Sequence, residues 1–142
     1  MKLIGFLIAA AFVLAAADKP AAVTYVDHDK VAEALAKGSR IAAGSDYSAS
    51  GARRTGPGQV EVHEKETDIF YVMEGEATFI TGGTVVNGKV SRPDQILGTD
   101  IQGGETHHLA KGDVIVIPAG TPHWFKQIPK SIKYFTVKSI KP

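Results

Sequence analysis

The hydrophobic pattern changes period once along the chain. Within the stretch DHDKVAEALAKG, apolar side chains return at helical spacing at Val31, Ala34 and Leu35. Asp27 and Asp29 both suit an N-cap, because a short carboxylate accepts from the free N–H groups of a first turn. Gly38 suits the stop. The spacing predicts one helix of about three turns, packing by its Val and Leu side. From Arg40 the period falls towards two, the spacing at which strand side chains share a face. RIAAGSDYSASGARRTGPG alternates weakly and reads as short strands and turns. Gly56-Pro57-Gly58 turns tightly into a strand over 59–64. IFYVM (69–73) and ATFI (77–80) read as two apolar strands, with Gly75 breaking the run between them. Residues 81–106 are turn-rich, and Asn87-Gly88 predicts a hairpin. VIVIP (114–118), HWF (123–125) and the alternating SIKYFTVKSI complete the set.

Many short strands after one helix, separated by Gly and Pro, predict an all-β fold closed into a sandwich or barrel. Phe70, Val72, Phe79, Trp124 and Phe125 are its expected core, with Trp124 on a cavity wall or a dimer face. Tyr71 and Tyr134 are expected to face the other way.

The first residues change the picture. MKLIGFLIAAAFVLAAADKP holds Lys2, an apolar run from Leu3 to Ala17, and small residues at Ala15 and Ala17. That is the pattern of a secretory signal, with cleavage expected after Ala17. Residues 1–17 are therefore read as a signal peptide, 18–45 as a leader with a short helix, and 46–142 as the β-domain. The expected location is exported, periplasmic or secreted, with no stable membrane span after cleavage. Removing 1–17 takes away Lys2 and no acid, leaving equal numbers of basic and acidic side chains. A phosphate-backbone binder carries a basic excess, so no nucleic-acid partner is expected. The chain has no cysteine, which excludes a disulfide scaffold, a thiolate nucleophile and Cys-ligated zinc. With 142 residues, 44% of them hydrophobic, there is material for one cored domain.

The chemistry concentrates in QVEVHEKETDIFYVMEGEATF. Glu61 and His63 are two apart and share a face of their strand. Asp68, across the turn EKET, returns beside them with Phe70 and Val72 on its face. This is a metal site at a barrel mouth or, if the parity is reversed, a solvated strand end. A second stretch, GDVIVIPAGTPHWFKQ, ends a buried strand at Pro118, turns at Gly120 and delivers His123. The adjacent pair His107-His108 is expected to be exposed, in a turn or on the outer sheet. The alternative is that one of them faces the cavity as an acid/base or a substitute ligand, and His108 is the candidate. Arg53 or Arg54 is a candidate partner for an anion, and His28 is read as exposed or structural.

Both stretches resemble the paired motifs of the cupin superfamily. In the first, approximately G-x5-H-x-H-x3,4-E-x6-G, Glu61 falls at the first histidine, His63 at the second, Asp68 at the glutamate and Gly75 at the closing glycine. Thr55 stands at the opening glycine. In the second, approximately G-x5-P-x-G-x2-H-x3-N, Gly112, Pro118, Gly120 and His123 fit every spacing, with Gln127 in place of asparagine. The resemblance implies a double-stranded β-helix, or jelly-roll barrel, with a short N-terminal helix. It implies a divalent metal held by Glu61, His63, Asp68 and His123. Two imidazoles and two carboxylates suit Fe(II) or Mn(II), with zinc or nickel as further candidates. Either acid is alternatively an orienting group for a histidine. A small-molecule substrate in the barrel and a homodimer are implied as well. The function expected is a metal-dependent oxygenase, isomerase or lyase on a small polar or phenolic compound, with Glu61 as general base if it holds the metal only transiently. The alternative is a non-catalytic protein that binds a small molecule or a metal.

Overall fold

The structure is a computed structural model that describes residues 22–141. The expected signal peptide, 1–17, lies outside the described residues. Among those described, one helix precedes twelve strands. Helix α1 (His28–Lys37) is capped by Asp27, which accepts from the Lys30 N–H at 3.0 Å, and it stops at Gly38 with φ 70°. The strands begin with β1 (Arg40–Ala43), β2 (Tyr47–Arg54), β3 (Val60–His63), β4 (Glu66–Thr81), β5 (Thr84–Val86) and β6 (Lys89–Arg92). They continue with β7 (Gln95–Gly98), β8 (Asp100–Gln102), β9 (Glu105–Ala110), β10 (Val114–Ile117), β11 (His123–Gln127) and β12 (Ile132–Ile140).

Two antiparallel sheets share one strand. The first runs β1-β2-β12-β4-β10 and uses β4 from Glu66 to Gly75. The second runs β9-β4-β11-β3-β7-β6 and uses β4 from Glu76 to Thr81. The two apolar runs expected as separate strands are thus one strand, which changes sheet at Gly75. That residue takes φ 78°, and a Cβ there would stand 1.9 Å from the Ser131 carbonyl oxygen. Only a glycine lets β12 approach so closely.

The expected Asn87-Gly88 hairpin does not form. The turn is present, with Asn87 at φ 53°, but its flanking strands part company: β5 pairs with β8, and β6 pairs with β7. The pull comes from Val60, Ile80 and Ile101, which need a cover on the outer face of the second sheet. Val85 packs there. Between the sheets lie Phe70, Val72, Phe79, Phe125, Ile132 and Tyr134. The Phe79 and Phe125 ring centroids are 4.6 Å apart, edge to face, a favoured aromatic geometry. Tyr134 corrects an expectation, since it is buried and Tyr71 alone faces out. Its burial is possible because its hydroxyl accepts from Arg54 Nε at 3.1 Å. No helix among the described residues is long and apolar enough to cross a membrane.

Candidate metal centre

Strand parity places the donors. On β3, Val60 and Val62 face away from Glu61 and His63, and the latter pair points between the sheets. β11 lies antiparallel beside β3 with His123 opposite Glu61. The turn before β11 is fixed by the Gly120 N–H donating to the His63 carbonyl at 2.8 Å, with Gly120 at φ 81°. Glu61, His63 and His123 each bring one donor atom to within 4.8 Å of the others.

Hydrogen bonds fix both imidazoles as Nδ1–H tautomers. His123 Nδ1 donates to the Thr121 carbonyl at 3.0 Å, so Nε2 carries the lone pair. That Nε2 is buried and has no hydrogen-bond partner. His63 Nδ1 donates to Asp68 Oδ2 at 2.7 Å. His63 Nε2 faces the amide nitrogen of Gln95 at 3.1 Å, and the Gln95 oxygen is held by Arg92 at 2.8 Å. Gln95 therefore donates and His63 Nε2 accepts. Orphaned buried donors or acceptors are uncommon in folded proteins and cost about 1–3 kcal/mol each. One imidazole lone pair without a partner, a second turned to the same space and a carboxylate oxygen between them form a donor set suited to a divalent cation. The residues fit the metal; binding it would take over the lone pair that Gln95 holds.

Asp68 stands outside that triangle. It is 1% exposed, and both of its oxygens are engaged: Oδ1 accepts from Lys138 Nζ at 2.6 Å and Oδ2 from His63. Burial alone would raise its pKa. The hydrogen bond from His63 and the Lys138 ammonium outweigh burial and hold the carboxyl below its ordinary range. His123 is pushed down chiefly by burial, against the pull of the Thr121 carbonyl and Asp68, and so stays neutral. Glu61 Oε1 accepts from Arg54 Nη2 at 3.2 Å, while Oε2 lies 3.5 Å from His63 Nε2. Beside this group the barrel keeps a cavity of about 10 Å³, walled by Arg54, Phe70, Trp124 and Phe125. That is about the room of one water or one ion. Larger hollows, of about 480 Å³ at Asn87, Lys89 and Leu97 and about 430 Å³ at Gly75, Lys111 and Ser131, contain none of the three donors.

A family model described as Cupin matches residues 19–142. The chain belongs to the cupin family. A search of the curated proteins finds no match. Among solved structures, the Bacillus halodurans protein BH2720 superposes with a TM-score of 0.58 at 16% identity, covering 83% of this chain and 82% of that one. The Thermus thermophilus protein TT1209 gives 0.53 at 18% identity, covering 83% and 98%. The cupin domain of Schizosaccharomyces pombe Cnp3 gives 0.53 at 10% identity, covering 73% and 60%. At these identities the likeness is one of fold.

The other predicted residues of this cupin fall away from the triangle. His108 is 66% exposed, with Nε2 3.2 Å from Glu76 Oε2, on the face of β9 opposite buried Leu109. His107 bonds Thr81 Oγ1 through Nε2 at 2.8 Å. His28 is exposed beside Asp29. Of the two arginines, Arg54 turns inward, and its partner is Glu61 of the same chain. Sequence reasoning missed Lys138 and Gln95. Lys138 had a signal: it follows Ile132, Tyr134 and Thr136 at every second position of an alternating strand, which sends it to the buried face. Gln95 sits directly opposite His63 across the β3–β7 ladder, a register that sequence spacing does not reveal.

Proposed function

We propose that this cupin binds one divalent cation through Glu61, His63 and His123 and uses it on a small polar molecule. The observation that carries the reading is the buried, partnerless Nε2 of His123, aimed at a carboxylate and a second imidazole. Two histidines and one carboxylate suit Fe(II) or Mn(II), and three protein donors leave positions for water or substrate. A cation so held supplies Lewis acidity and, if iron, oxygen activation. The chain's own residues do the rest. Thr121 and Asp68 fix the tautomers, so that both lone pairs face one space. Arg54 steadies Glu61 by one oxygen and leaves the other free. Phe70, Phe125 and Trp124 keep bulk water out. In the oxygenase, isomerase and lyase classes alike, a small polar or phenolic substrate then approaches past Arg54 and Trp124. Export through the apolar run 3–17 belongs to the same reading.

The test is elemental analysis of protein purified without chelator or added metal, beside His123→Ala. Near-stoichiometric iron or manganese, lost in the variant with circular dichroism unchanged, is the expected result. Protein that stays metal-free after anaerobic reconstitution sinks the reading. One observation favours a second reading, a non-catalytic metal-binding cupin: the cavity of about 10 Å³ admits an ion and no organic substrate in this conformation. Loaded protein whose metal spectrum no added small ligand perturbs selects that alternative.

A further inference from the structure

We infer that Lys138 is a positioning residue that keeps Asp68 from becoming a metal ligand, so that the centre presents three donors and stays open. The inference rests on the metal reading above and deepens it. Two carboxylates flank the buried imidazoles, and their oxygens are used differently. Glu61 commits Oε1 to Arg54 and keeps Oε2 towards His63 Nε2. Asp68 keeps nothing back: Oδ1 accepts from Lys138 at 2.6 Å and Oδ2 from His63 at 2.7 Å. Distance does not exclude Asp68, because its Oδ2 is only 3.6 Å from His123 Nε2. The ammonium does.

Lys138 is anchored from its other side. Its Nζ donates to Glu66 Oε2 at 2.8 Å, and Arg92 Nη2 lies 3.9 Å from that oxygen. The same Nζ stands 3.1 Å from His63 Nδ1, on the ring edge opposite the lone pair. A fixed positive charge among these groups opposes the swing of Asp68 towards a second cation, since charges a few ångströms apart interact strongly where water is scarce. The consequence is chemical. A centre with Asp68 as fourth donor would be one unit more negative, would hold a cation more tightly, and would offer it one position fewer. With Lys138 in place, Asp68 orients His63 instead, as carboxylates behind metal-bound imidazoles do.

The test loads the purified protein with Mn(II), reading affinity by electron paramagnetic resonance and exchangeable waters by water-proton relaxation. Wild type is compared with Lys138→Met, Lys138→Arg and the double variant Asp68→Asn/Lys138→Met. Lys138→Met is expected to bind Mn(II) about 10-fold more tightly, because a fourth, negatively charged oxygen donor joins the set, and to lose one exchangeable water. Lys138→Arg is expected to match wild type. An unchanged water count and affinity in folded Lys138→Met overturns the inference. If that variant does not fold, the double variant decides, because it removes both charges together. Its expected water count is that of wild type; one water more means that Asp68 was already a ligand, and the inference falls. Wild type that takes up no Mn(II) overturns the metal reading by itself. Uptake confined to Lys138→Met would then still support the role of Lys138, and no uptake in either overturns both.

Discussion

His123 and Asp68 are buried ionisable residues whose pKa values both move down, for different reasons. His123 is lowered mainly because burial disfavours its charged form. Asp68 is lowered although burial opposes it, because His63 and Lys138 stabilise the carboxylate. A folded pKa below the unfolded one gives stability that is complete above the unfolded value and is lost as pH falls through the folded one. In metal-free protein, stability is therefore expected to be level above the ordinary imidazole value of 6.5. It falls below that, as the unfolded chain takes up a proton that His123 refuses in the fold. It falls again below 3.8, as the unfolded chain protonates an aspartate that the fold keeps charged. Urea midpoints of chelator-treated protein across this range check the expectation. In His123→Asn the first fall should disappear and the second remain; a first fall that persists assigns it to another group.

At the scale of the element, β4 decides whether two sheets become one barrel. Gly75 permits the change of sheet on two counts, its φ of 78° and the 1.9 Å that a Cβ would leave to Ser131 O. Gly112 shares the first property only, with φ 96° and no atom within 4 Å of the position a Cβ would take. Gly112→Ala is thus expected to cost about 1 kcal/mol, the scale of backbone strain alone. Gly75→Ala adds displacement of the β12 backbone and is expected to cost about 3 kcal/mol. Urea unfolding of both variants measures the difference, and equal costs would show that the approach of β12 is not what glycine serves here. The same strand shows how far the sequence was legible. The period of two, the caps of α1 and the spacing of Gly112, Pro118, Gly120 and His123 are local signals, and each led to a correct element. Gly75 reads as a break in the sequence, because a run of apolar residues cannot tell a bend from a stop. Pairing across the sheet is non-local. The partners of Asn87-Gly88 and the place of Gln95 beside His63 depend on it, and neither is written in its own neighbourhood.

For the whole molecule, core and site are built from the same strands but held by different forces. The aromatic cluster of Phe70, Phe79, Phe125 and Tyr134 closes the space between the sheets without any ion. The acids that face the barrel already have cations: Arg54 on Glu61, and Lys138 on Asp68 and Glu66. A metal bound there would thus be an addition to a finished fold, unlike the zinc of a small finger, whose binding energy is its folding energy. Chelated protein is expected to stay folded and to melt in one transition. Restoring metal at about 100 times its dissociation constant should add about 2.7 kcal/mol, which for a domain of this size is a rise of roughly 10 °C in Tm. Phe79→Ala, by contrast, should cost about 3–5 kcal/mol with or without metal, because it leaves a cavity where that ring is fully buried. Calorimetry of wild type and Phe79→Ala, each with metal and with chelator, gives four melting temperatures. Two independent contributions make the metal increment equal in both proteins. A wild type that loses its near-ultraviolet circular dichroism on chelation would instead make the metal part of the fold, and the cationic partners of the three acids insufficient to hold the barrel closed.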